Sequence, residues 1–140
     1  MQCCRSVSSR RFLLVSTALL FGMTDVVHKL LDPAHVHHAR SPFVALIIAM
    51  VIAALVALVP RIPSNAAAIG AGIACGGALG NLVSLLWWTD GVPDPFIVAG
   101  TQSALAFNLA DLFALAGDAV LMSAAVVYGV RHRDELRRRI

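Results

Sequence analysis

Residues 66–88 read AAAIGAGIACGGALGNLVSLLWW, a stretch with no charged side chain. At about 1.5 Å of rise per residue, a helix of this length crosses the ~30 Å hydrocarbon core of a bilayer. Its small residues Gly70, Gly72, Gly76, Gly77 and Gly80 let neighbouring helices approach closely. Trp87 and Trp88 close the run, where an aromatic belt meets the membrane interface. Working outward, three more apolar runs appear, and the spans are expected at about 12–31, 43–59, 66–88 and 103–130. Pro60 and Pro63 break the chain between the second and third runs. The reading is therefore an all-α integral membrane bundle of four transmembrane helices, forming one membrane domain over residues 1–140.

Composition agrees. The 140 residues are 59% hydrophobic and 14% charged, and mean hydropathy is +0.80. A soluble domain of this size needs more polar surface. The net charge of +3 is modest, and its placement suits topology control, not nucleic-acid binding. Arg5, Arg10 and Arg11 precede the first run, Arg61 lies in the second loop, and Arg131, Arg133, Arg137, Arg138 and Arg139 close the chain. Only Arg40 lies in the opposite loops, so both termini are expected in the cytoplasm of a multi-pass protein. The first run leads directly into Asp25 and Lys29 without a small-residue cleavage site, which favours a retained span over a cleaved signal. Cys3, Cys4 and Cys75 give no disulfide framework.

The polar residues inside the apolar runs carry the functional signal. Asp25 and Lys29 are spaced i, i+4 and share a helix face. They read either as a neutralised pair near the interface or as a substrate-positioning pair. Asn81 and Ser84, spaced i, i+3, read as interhelical hydrogen-bonding groups unless Asp111 joins them. Asn108 and Asp111 share the same i, i+3 spacing. An intramembrane Asp is costly and marks a functional site. With the first and third helices running outward and the fourth inward, all six groups fall in the outer part of the bilayer. Ser84 is expected ~6 Å and Asp111 ~12 Å below the outer helix ends. Asp118 lies about 10 Å deeper than Asp111, too far along the helix to pair with it. His35, His37 and His38 cluster in the first outer loop, where a solvated loop outweighs a metal site.

These stretches resemble the active-site motifs of the lipoprotein signal peptidases, or signal peptidase II. Phe107-Asn108-Leu109-Ala110-Asp111 is similar to F-N-x-A-D, with Gly117 fitting the glycine that follows. Gly80-Asn81 is similar to the start of G-N-x-x-D-R, and Asp25 to Lys29 looks like D-x-x-x-K. Residues 91–97 are loosely similar to the family segment before the fourth helix. The resemblance implies an aspartic endopeptidase of the bacterial cytoplasmic membrane, in contact with the lipid bilayer, that cleaves diacylglyceryl-modified prolipoproteins. It makes Asp111 catalytic, and Asp25, Lys29, Asn81 and Asn108 substrate-binding or orienting. It implies neither cofactor nor metal. Ser84 and Leu85 stand where the resemblance places the second catalytic Asp and the Arg after it, and residues 37–43 replace the N-x-G-x-x-F stretch. Serine cannot share a proton as a carboxylate does. Three readings follow: a peptidase whose second carboxylate comes from Asp90 or Asp94 in the third loop, a non-catalytic protein that binds lipopeptides or another membrane ligand in the same groove, or a small membrane protein repurposed for an unrelated ligand that keeps Asp111 only for helix packing.

Overall fold

The second, third and fourth helices each begin at a residue suited to starting one. The computed structural model describes residues 2–32, 34, 36–39, 41–99 and 104–133. Helix α1 spans Gln2–Leu31 and α2 spans Pro42–Leu58, with Pro42 at its first turn. There the missing N–H costs nothing. A 3-10 turn, Val59–Arg61, follows. Helix α3 spans Asn65–Trp87, capped by Ser64 Oγ, which accepts from Ala67 N at 3.2 Å. Helix α4 spans Leu109–Arg131, and Asn108 and Asp111 form a reciprocal capping box at its start.

Helix α3 is the hub, packed between α1 and α4. Towards α1, a Cβ added at Gly76 would lie 2.6 Å from Phe21 Cβ; towards α4, one at Gly70 would lie 2.5 Å from the Leu121 nitrogen. Backbones this close leave no room for side chains, which explains the glycine-rich composition of α3. Leu14, Ala18, Val59, Ala67, Ala68, Ala71 and Cys75 form the apolar core beside these crossings. Arg10 Nε donates to Pro60 O at 2.9 Å and ties α1 to the turn before α3. Helix α2 buries no residue. Its Phe43, Leu46, Met50 and Leu58 are exposed, as are Leu19, Met23, Leu115 and Met122 on α1 and α4. All four helices are long and apolar enough to cross a membrane. Lipid would cover those side chains at no desolvation cost, while the helices satisfy their own backbone groups.

At one end of the bundle the chain departs from the all-α expectation. Strand β1 (Val36–His38) pairs antiparallel with β2 (Val92–Asp94), placing Val36 opposite Asp94 and His38 opposite Val92. Strands β3 (Phe96–Ala99) and β4 (Ala104–Phe107) form a second ribbon, with Phe96 opposite Phe107. Gly91, at φ +107°, allows the turn into β2, and an added Cβ there would meet the His38 carbonyl oxygen at 2.5 Å. The fourth helix therefore does not start at Ser103. Residues 104–107 extend as a strand whose backbone is paired by β3, and the helix begins only after the Asn108 cap. An apolar run of four residues carries no periodicity that separates strand from helix. Helix α1 likewise reaches back to Gln2, through basic residues read as a tail.

Candidate functional site

The i, i+4 spacing on α1 turns Asp25 and Lys29 to the same face, against α3. Asp25 Oδ2 and Lys29 Nζ lie 2.7 Å apart, with both side chains fully buried. Lys29 Nζ also donates to Asn81 Oδ1 at 3.0 Å and to Ser84 Oγ at 3.1 Å. Two of the three ammonium N–H groups thus go to neutral oxygens, while Asp25 Oδ2 stays beside the charge at ion-pair distance. Asp25 Oδ1 accepts from the Ala110 nitrogen at 2.8 Å, joining α1 to the first turn of α4. Gly80 makes that approach possible: an added Cβ would sit 2.9 Å from Asp25 Cγ. Ser84 Oγ donates to Gly80 O at 2.7 Å, so its proton is committed to its own helix.

Asn81 carries the network to α4. Its Nδ2 donates to Asp111 Oδ1 at 3.2 Å. Asp111 Oδ2 accepts from Asn108 N at 3.1 Å, and Asp111 N donates to Asn108 Oδ1 at 3.2 Å. Asp111 therefore lies at the helix start, where unpaired N–H groups favour a carboxylate. It is not a full turn or more inside the helix as expected from a start at Ser103. Asn108 then reaches the loop: its Nδ2 donates to Asp94 Oδ1 at 2.6 Å and to Pro93 O at 3.4 Å. Asp94 is only 2% exposed, and its Oδ2 is hydrogen-bonded to His38 Nδ1, whose side chain is 55% exposed.

The structure thus brings together Asp25, Lys29, Asn81, Ser84, Asn108 and Asp111, and adds Asp94 and His38. Asp111, Asp94 and Asp25 all lie within electrostatic reach of the Lys29 ammonium. Asp90 is exposed in the turn before Gly91, and Asp118 is exposed further along α4; neither joins the cluster. His37 is exposed on β1, and His35 lies outside the described residues. Nothing in the sequence around His38 marks it for the site. For Asp94 the signal was its flanking by Pro93 and Pro95, which stiffen the segment.

Beside the cluster, a cavity of about 280 Å³ is lined by Lys29, Leu30, Ala34, His37, Trp88 and Pro93. Leu30 and Trp88 also line an apolar hollow with Val26, Val83 and Trp87. Val26 and Val83 continue into a third hollow with Leu19, Gly22, Met23, Val27 and Leu79. The three hollows share lining residues along the seam between α1 and α3, and the one beside the cluster reaches Lys29. A larger cavity, of about 600 Å³, lies at the other end of the bundle near Tyr128 and Arg131 and contains none of the clustered residues.

Four helices are long and apolar enough to cross a membrane, and three of them, α1, α3 and α4, meet around a cluster of buried polar side chains at one end of the bundle. The family model for signal peptidase (SPase) II matches residues 12–127, and the chain belongs to that family. No curated protein and no solved structure matches it.

Proposed function

We propose that the chain is an aspartic endopeptidase of the signal peptidase II type whose catalytic pair is Asp94 and Asp111. The observation that carries this reading is Asn108, which bonds to both residues: its Nδ2 holds the Asp94 carboxylate, and its backbone N–H holds that of Asp111. Ser84 stands where the sequence motif has its second Asp, but its hydroxyl is fully buried and bonded to Lys29 and Gly80. It is a structural acceptor for Lys29. The compensating carboxylate from the third loop is Asp94, and the pair is complete.

Charge supports the pairing. Lys29 pairs with Asp25, which leaves Asp94 and Asp111 as the two carboxylates held by Asn108. In the proposed mechanism one member of the pair is ionised and the other carries a proton. That is the state aspartic proteolysis requires. The ionised carboxylate takes a proton from a water molecule as the water oxygen bonds to the scissile carbonyl carbon. The protonated carboxyl gives its proton to the carbonyl oxygen. In the collapse the C–N bond breaks, the leaving nitrogen takes the proton from the first carboxyl, and the second recovers its own from the gem-diol.

The substrate class is a diacylglyceryl-modified prolipoprotein. The apolar hollows along the α1–α3 seam suit an acyl chain whose polar end reaches Lys29 and Pro93. Asn81, Asn108, Asp25 and Lys29 then orient the pair and the peptide. Family membership supports a multi-pass component of the bacterial cytoplasmic membrane, and the distribution of arginines supports both termini inside with the site near the outer surface.

The test is prolipoprotein processing in cells depleted of their own signal peptidase II and expressing this chain, Asp111→Asn or Asp94→Asn. Wild type processes the substrate, and each variant falls by about 10²–10⁴-fold while remaining membrane-inserted. An Asp94→Asn protein with near wild-type processing removes Asp94 from the pair. A well-expressed wild type that processes nothing favours the lipopeptide-binding alternative.

A further inference from the structure

The two carboxylates are not equivalent. Asp111 accepts only from neutral donors, Asn81 Nδ2 and the backbone N–H of Asn108. Asp94 accepts from Asn108 Nδ2 on one oxygen, while the other faces His38 Nδ1. Strand register explains the contact. His38 lies opposite Val92, so Asp94, two residues on, shares its face as the diagonal neighbour. Gly91 permits the turn that lets β2 run beside β1. Asp94 is buried, and His38 is half exposed. The imidazole is thus a titratable group that touches water and a buried carboxylate at once.

We propose that His38 is a positioning residue that, protonated at Nδ1, holds Asp94 as the ionised member of the pair and so makes Asp94 the base and Asp111 the acid. This rests on the peptidase reading above. An imidazolium donating to Asp94 Oδ2 stabilises the carboxylate over the carboxylic acid, and the proton shared by the pair then resides on Asp111. Histidine ordinarily changes charge between about pH 5 and 8. With the imidazolium in place the assignment of base and acid is fixed; a neutral imidazole leaves the two carboxylates to compete for the proton, and turnover falls. The other groups near this contact are Lys29 on α1, which acts on both carboxylates, Asp111 on α4, and the adjacent His37 on β1. None of these combines exposure to water with a hydrogen bond to Asp94.

The full-length chain in detergent micelles, with a diacylglyceryl-modified prolipoprotein as substrate, provides the test. Wild-type kcat has a descending limb between pH 5 and 8. His38→Gln retains a neutral donor to Asp94, so it loses that limb and turns over about tenfold more slowly. His38→Ala loses both donor and limb and falls about a hundredfold. A His38→Ala pH profile that overlays wild type, apart from scale, overturns the proposal. A second readout needs no turnover: the imidazole 15N titration of His38 in wild type, Asp94→Asn and Asp111→Asn. The midpoint moves by at least about half a unit in Asp94→Asn, and by less in Asp111→Asn. An unmoved midpoint in Asp94→Asn overturns the proposal whatever the turnover. A chain that cleaves nothing yet shows the moved midpoint overturns the peptidase reading, and with it the assignment of a base, while the His38–Asp94 contact stands.

Discussion

Replacing Lys29 by methionine keeps the length and apolar body of the side chain and removes its charge. In the wild type the ammonium reaches Asp25 at 2.7 Å, Asn81 at 3.0 Å and Ser84 at 3.1 Å, all buried. Its loss leaves Asp25 with only the Ala110 N–H, at 2.8 Å. Removing one partner of a buried ion pair costs about 3–5 kcal/mol. The Asp25 carboxyl can escape by taking up a proton. For an ordinary aspartate at pH 7 that costs ~4 kcal/mol, which sets a ceiling of the same size. The two routes agree, so the expected loss for Lys29→Met is about 4 kcal/mol at pH 7. The sign with pH follows: each unit of acidification from pH 7 towards 4 makes the neutral carboxyl about 1.4 kcal/mol cheaper, so the deficit shrinks. Reversible unfolding in mixed micelles at several pH values measures it. The double variant Asp25→Asn/Lys29→Met, which removes both charges, recovers most of the loss. A Lys29→Met protein within about 1 kcal/mol of wild type at pH 7, or a deficit that ignores pH, would refute the buried pair as the keystone between α1 and α3.

Two further outcomes follow from the same network. Ser84→Ala strands one N–H of Lys29 and costs about 1–3 kcal/mol in the unfolding assay. Its turnover stays within about tenfold of wild type, and a loss beyond ~100-fold in a stable protein would return Ser84 to the catalytic machinery. Asn108→Ala removes the α4 cap, at about 1–2 kcal/mol, together with the 2.6 Å bond to Asp94. Asn108→Ser restores the cap without reaching Asp94, so stability returns while turnover stays depressed by about 10²-fold or more. Full recovery of turnover in Asn108→Ser would show that Asn108 acts as a cap only.

The proposed pair separates a motif position from a side chain's reach. The motif around Gly80-Asn81 points to Ser84, because sequence similarity places a carboxylate by its position in the string. Hydrogen bonding points to Asp94 by its reach to Asn108. The loop before α4 is held down by the β1–β2 ribbon, and this brings Asp94 to the Asn108 side chain. A loop tied into a ribbon and flanked by prolines places a catalytic group far better than a free loop does. Counting α4 from Ser103 places Asp111 more than two turns inside the helix, whereas the β3–β4 ribbon takes up residues 104–107 and leaves Asp111 in the first turn.

By itself the sequence determined the four helices, the pairing of Asp25 with Lys29, and the convergence of Asn81, Ser84, Asn108 and Asp111. Hydrophobic runs and i, i+3 or i, i+4 spacings are local, and a helix turns each directly into a face and a depth. Only the tertiary structure decided that Asp94 and His38 join them. Both lie on two short strands more than fifty residues apart, and their register depends on β1 meeting β2 and not on anything in either segment alone. It also decided that Ser84 faces inward to Lys29, because the bond exists only once Gly76 and Gly80 let α1 and α3 close to backbone contact.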